Sequence, residues 1–155
     1  MAFRVPARRV DQSTLKVNQA FVLALLVLGL VLDSLPLIAF VAVVMLVSTA
    51  SPDLALFHII YRDGLRPARL VKPRITIDNP EPHNFAQGFG GALVTLGLIA
   101  RMLDYDTLAW ALIVFVALSA LTYLLLNFCS GCFIYYQLNR LGVPGFRHSP
   151  IRVRQ

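Results

Sequence analysis

Charge is scarce in this chain. Only 14% of its 155 residues are Asp, Glu, Lys or Arg, against 57% hydrophobic. An ordinary soluble domain carries about 25% charged residues, and a soluble fold of this length cannot hide so much apolar surface inside itself. Cysteine is scarce too. Two cysteines exclude a secreted disulfide scaffold. The sequence has no Walker loop, no dinucleotide-binding glycine motif, no HExxH and no GxSxG. It has no zinc-finger, RRM or helix-turn-helix pattern, so the net charge of +6 does not point to nucleic acid. No charge lies deep within an apolar run, which argues against an ion or proton pathway.

Apolar length is what the chain has in quantity. A helix must run for about 20 residues to cross the hydrocarbon of a bilayer. Four runs are candidates, at about 15–32, 35–50, 85–103 and 107–128, and the last could continue as helix to Asn139. The pattern predicts an all-α, single-domain membrane bundle of four transmembrane helices. Asp33-Ser34-Leu35-Pro36 and Asp104-Tyr105-Asp106 interrupt the runs as tight turns. Ser34 or Asp33 would cap the second helix, with Pro36 in its first turn, and Asp106 or Thr107 the fourth. The loop 51–84 is basic and proline-containing. Its apolar, aromatic stretch Leu54–Tyr61 suits an interfacial helix starting near Ser51 and Pro52. Residues 140–155 form a tail. The N-terminus lacks the cleavage site of a signal peptide.

Basic residues give the orientation. The N-terminal tail, the middle loop and the C-terminal tail hold thirteen of the fourteen Lys and Arg residues, and only Arg101 lies on the opposite side. With four crossings, the positive-inside rule puts both tails and the loop in the cytoplasm, at an inner (plasma) membrane. The lipid bilayer is the expected first partner.

The chain also carries an internal repeat. Residues 19–30 align without gaps on residues 87–98 with seven identities in twelve, including Gln19/Gln87, Phe21/Phe89 and Gly29/Gly97. Each copy reaches a turn, Asp33-Ser34-Leu35 or Asp106-Thr107-Leu108. Each second helix is followed by an aromatic stretch and a stop, Arg62-x-Gly64 or Arg140-x-Gly142. This predicts two helical hairpins in the same orientation, a parallel pseudo-repeat about an axis along the membrane normal. Gln19 and Gln87 would then face each other at equal depth. Gly88, Gly91, Ala92 and Gly97 would give the third helix a small face for close approach.

Cys129-Ser130-Gly131-Cys132 is the sharpest chemical signal. Residues three apart share a helix face and come within disulfide reach if the turn loosens, which Gly131 permits. The functional account is a thiol pair that cycles with a cytosolic partner or carries sulfur. The structural account is a pair of small apolar residues at a packed helix end. A C-terminal position on the fourth helix would work against thiolate, because that end of the helix dipole is negative. In the loop Asp78–Gln87, Asn79 or Asn84 would cap the third helix. Asp78, Glu81 and His83 are the groups able to assist. His83, Cys129 and Cys132, with His58, would suit zinc or another thiophilic metal. Their spacing matches no recognised metal signature, and a rigid helix-entry loop accounts for it more simply. The sequence therefore assigns no metal and no cofactor.

Val10-Asp11, Val17-Asn18-Gln19-Ala20, the segment Pro80–Gly88 and Cys129-Ser130-Gly131-Cys132-Phe133 together resemble a family of small bacterial membrane proteins, domain-of-unknown-function family 4395. The resemblance covers about Val10 to Gly142. Its association with thiol and sulfur-transfer proteins implies a role for Cys129 and Cys132. Two functions follow as expectations. One is thiol-redox or sulfur handling through these cysteines at the cytoplasmic face, with a cytosolic thiol or sulfur-transfer protein as partner. The other is a non-catalytic accessory subunit of a larger respiratory or photosynthetic membrane complex.

Overall fold

The computed structural model describes residues 8–51, 56–65, 67 and 74–146. Of the basic residues counted above, Arg4, Arg66, Arg69, Lys72, Arg147, Arg152 and Arg154 lie outside them. The chain is mostly helical: α1 (Gln12–Val31), α2 (Leu35–Ala50), a short α3 (Leu56–Ile60) running into a π-helical turn (Tyr61–Leu65), α4 (Pro80–Met102), α5 (Asp106–Leu126) and α6 (Ser130–Arg140). Three helices, α1, α4 and α5, are long and apolar enough to cross a membrane. That suggests a membrane protein. Helix α2 is apolar but has 16 residues, about 24 Å at 1.5 Å per residue.

Two strands add to the expected all-helical plan. β1 (Arg8–Asp11) pairs antiparallel with β2 (Ile75–Asp78), with Arg8 opposite Asp78 and Asp11 opposite Ile75. Asp11 then closes the ribbon onto the helices. Its carboxylate caps α1 through Ser13 N–H at 3.0 Å and accepts the Tyr61 hydroxyl at 2.9 Å and Arg74 N–H at 3.1 Å. The cap at Asp11 explains why α1 starts at Gln12, three residues before the apolar run. A helix does form within the stretch Leu54–Tyr61, as α3; of its predicted starting residues, Pro52 lies outside the described residues.

Helix α4 begins at Pro80, five residues earlier than the apolar run indicates. Prolines disfavour a helix interior, where they remove an N–H and the ring clashes with the preceding turn. Pro80 and Pro82 lie in the first turn, whose N–H groups have no intrahelical partner, and Glu81 there favours the positive end of the dipole. Asn79 occupies the N-cap position without a side-chain cap bond.

Helices α1 and α4 end in the same way. Asp33 (φ 47°) and Asp104 (φ 62°) adopt the left-handed conformation. The next residue's N–H returns to a carbonyl five residues back, Ser34 to Gly29 and Tyr105 to Ala100, both at 2.9 Å. These are Schellman closures. The equivalent turn residues are therefore Asp33 and Asp104, not Asp33 and Asp106, and Tyr105 is the cap of α5. Ser34 occupies the N-cap position of α2 without a side-chain cap bond, with Pro36 in the first turn.

Each of α1 and α4 packs on three helices: α1 on α2, α5 and α3, and α4 on α5, α2 and α6. Exchanging α1 with α4, α2 with α5 and α3 with α6 maps one set onto the other. The core lies between the four long helices, with an apolar cluster of Val22, Leu26, Ile38, Val41, Val94 and Ile113 at its centre and the buried polar side chains Asn18, Ser48 and Gln87 among the same helices. Glycine sets the closest approaches. A Cβ on Gly29 would meet Ile38 at 2.7 Å, and one on Gly97 would meet Ile113 at 3.0 Å. Gly88, Gly90 and Gly91 face Thr49, Met45 and Leu46 of α2. Ala92, expected on this small face, points outward. Large apolar side chains also cover the outside, Val31, Met102, Leu108 and Leu125 among them.

Candidate functional site

The last of the four expected spans, α5, does not continue as helix through the cysteines. It stops at Leu126, Asn127 takes a left-handed conformation (φ 52°), and α6 starts afresh at Ser130. Asn tolerates that conformation better than other non-glycine residues. Cys129 is the N-cap of α6, and its Sγ accepts the N–H of Cys132 at 3.2 Å. This reverses the dipole argument made from the sequence. The pair lies at the positive end of an 11-residue helix, where thiolate is favoured. Cys129 and Cys132 form a disulfide. Cys129 is half-buried and Cys132 is buried.

Packing fixes the pair in place. A Cβ on Gly131 would lie 2.5 Å from Cβ and 2.7 Å from Cα of Ala86. Only glycine lets the first turn of α6 press against the backbone of α4. Tyr135, further along α6, is buried against Phe85 and Phe146.

That contact brings His83, on the first turns of α4, to the cysteines. Its Nδ1 is 3.4 Å from Sγ of Cys132, and its Nε2 is 3.1 Å from Oδ2 of Asp78. An ionised carboxylate can only accept, so Nε2 carries the proton toward Asp78. In the neutral ring Nδ1 then turns its lone pair to the sulfur. The hydrogen bond from His83 holds the Asp78 carboxyl below the usual carboxylate range, against the opposing effect of burial, and Asn79 N–H adds a bond of 2.8 Å. The Tyr123 ring lies edge-on to His83. Burial pushes the Tyr136 hydroxyl up, and the Asp78 charge pushes it further. These groups line a pocket of about 290 Å³ against the cysteines.

The structure thus joins Asp78, His83, Cys129 and Cys132 from β2, α4 and the start of α6. Glu81 is absent from the pocket lining. The His58 side chain lies outside the described residues. Gln87, one turn beyond His83, does find an amide partner, but it is Asn18: Nδ2 of Asn18 donates to Oε1 of Gln87 at 3.1 Å. Gln19 is its neighbour, one residue out of phase. Asn18 and Gln87 are both buried, and among the described residues Oδ1 of Asn18 and Nε2 of Gln87 have no hydrogen-bond partner.

The segments that build this site, from within β1 to the end of α6, are the ones that a known family shares: the sequence pattern of Domain of unknown function (DUF4395) matches residues 10–140. The chain belongs to the DUF4395 family. No curated protein and no solved structure matches it. The family match encloses every residue of the site, from Asp78 through Cys132.

Proposed function

We propose that this DUF4395 protein is a membrane-embedded thiol–disulfide exchange protein, with Cys129 as the attacking thiol and Cys132 as the resolving thiol. The observation that carries this reading is the placement of the pair at the N-terminus of α6, with Cys132 held against His83. Cys129 is the more exposed residue of the two and sits in the favourable field of the helix. Cys132 is buried, faces a base and is shielded from direct attack.

The reduced pair acts on the disulfide of a cytosolic protein. The Cys129 thiolate attacks one partner sulfur, and the other leaves as thiolate. Cys132 passes its proton to Nδ1 of His83 and attacks Sγ of Cys129. The mixed disulfide breaks and releases the second partner thiolate. Two electrons have moved from the pair to the partner, and the Cys129–Cys132 disulfide is the product. A dithiol protein runs the steps backward and restores the pair. Asp78 positions the imidazole and supports its charge when protonated.

The four helices α1, α2, α4 and α5 cross the inner membrane as two hairpins in the same orientation, with both termini in the cytoplasm. The thirteen basic residues outside the α4–α5 turn support this under the positive-inside rule. The exposed apolar surface of α1, α4 and α5 supports lipid as its surroundings.

The test is trapping in cells. Cys132→Ser should accumulate mixed disulfides through Cys129, seen by non-reducing electrophoresis and mass spectrometry, and Cys129→Ser should accumulate none. If neither variant traps a partner, and the double serine protein supports cells fully, the exchange reading fails. An accessory-subunit role would then take its place.

A further inference from the structure

We infer that the reduced form of this site binds one thiophilic metal ion through His83 Nδ1, Cys129 Sγ and Cys132 Sγ, and that disulfide formation expels it. The inference shares one premise with the exchange reading, that the cysteine pair can be reduced. It does not need a partner protein.

The three ligand atoms lie within 4.8 Å of one another. A tetrahedral zinc ion, with bonds of about 2.3 Å to sulfur and 2.0–2.1 Å to nitrogen, spaces an S–N ligand pair by about 3.5 Å. His83 Nδ1 and Cys132 Sγ are already 3.4 Å apart. The imidazole needs no rearrangement to serve, because Asp78 takes the Nε2 proton and leaves the Nδ1 lone pair aimed at the sulfurs. A carboxylate behind a ligating histidine is the usual outer support of zinc sites. The N–H of Cys132 on Sγ of Cys129 supports the second sulfur in the same way. The thiol protons leave to solvent when the ion binds.

The donor set decides the ion class. Two thiolates and one imidazole favour zinc or cuprous copper over magnesium or calcium. The fourth position faces the pocket of about 290 Å³, which has room for water or an incoming ligand. Tyr136 also lines that pocket. The gating follows from valence. A sulfur bonded to sulfur carries no thiolate charge, so oxidation removes two of the three ligands together.

The measurement uses the full chain in detergent with Zn²⁺ alone, in competition with a chromophoric chelator. Reduced protein should take up one zinc per chain and oxidised protein none. Cys132→Ser should weaken binding by more than about 100-fold, and Asp78→Asn by about 10- to 100-fold. Co²⁺ in place of Zn²⁺ reads the ligands without any variant. Tetrahedral bands with a sulfur-to-cobalt charge-transfer band are expected, and His83→Gln should change them. Reduced protein that leaves all zinc with a micromolar chelator overturns the inference, as does uptake that ignores oxidation. The same samples, titrated in glutathione buffers without metal, separate the two readings. Reversible disulfide formation without zinc uptake removes the metal site alone. Zinc uptake by thiols that glutathione cannot oxidise removes the exchange reading and, with it, the gate.

Discussion

The two halves of the bundle close their lower ends differently. After α2, the chain forms α3 and the π turn, where Phe57 stacks on Phe21 of α1 and Tyr61 bonds Asp11. After α5, it forms α6, where Tyr135 packs on Phe85 of α4. Phe57 and Tyr135 fall at the same distance before the stops Arg62-x-Gly64 and Arg140-x-Gly142, and both are buried. Up to this point the closures correspond. The second half then adds the left-handed Asn127 and a sulfur cap, and among the described residues between α2 and α3 the first half shows neither. One shared packing plan serves both halves, and in the proposed function only the second carries the reactive pair. The first half therefore serves as the control for the second.

The largest contrast is chemical. Cys129→Ser should lower the rate of exchange with a small disulfide by about 100-fold or more, measured with purified protein. Tyr61→Phe, in the corresponding closure, should leave that rate within about twofold while removing one hydrogen bond to Asp11. Similar losses in both would erase the distinction between scaffold and site.

Steric contrast comes next. Gly131→Ala forces a methyl group onto the backbone of α4, and overpacking of this kind costs about 1–3 kcal/mol. A Cβ on Gly64, in the π turn, meets nothing within 4 Å, so Gly64→Ala should change stability by less than about 1 kcal/mol. Thermal unfolding in detergent distinguishes the two.

The Asn18–Gln87 bond ties the halves together. Asn18→Leu alone strands a buried Gln87 amide and should cost about 1–3 kcal/mol, and adding Gln87→Leu should restore part of the loss. A double variant worse than either single would show that the amides act through other groups.

The smallest effect is acid dependence. Folding holds the Asp78 carboxyl below its ordinary value. Its contribution to stability is therefore full above the unfolded pKa of about 3.9 and is lost as pH falls through the lower folded value. Asp78→Asn should flatten the part of the melting curve below about pH 4 that this group supplies and lower stability at pH 7. An unchanged profile would mean that the Asp78–His83 bond adds nothing to the fold.

Much of the helical framework was legible because apolar length is a cumulative signal over many residues. Single-residue signals were harder. Leu124, Leu125, Leu126 and Phe128 continue the apolar run and hide the break at Asn127. The signal present was Asn followed two residues later by a side chain able to cap. Reading it would have placed the cysteines at a helix start. Alignment of the repeat found Gln19 opposite Gln87 by identity, but helix phase sets which amide faces inward, and that was Asn18. The prolines at 80 and 82 obscured a helix start that also fixes where His83 points. The ribbon was nearly invisible, since four residues per strand give little alternation and pairing depends on contact across more than sixty positions. Asp78, His83 and the cysteines were each visible as reactive types; their meeting required the closure of α6 onto α4.

That closure has a consequence for traffic. Because Gly131 is wedged against the Ala86 backbone, the sulfurs cannot swing out on a tether to meet another molecule. Under the exchange proposal, a visitor has to be shaped to reach a stationary pair, so selection among visitors would fall to the contours around α6 and the ribbon rather than to the reach of a moving arm.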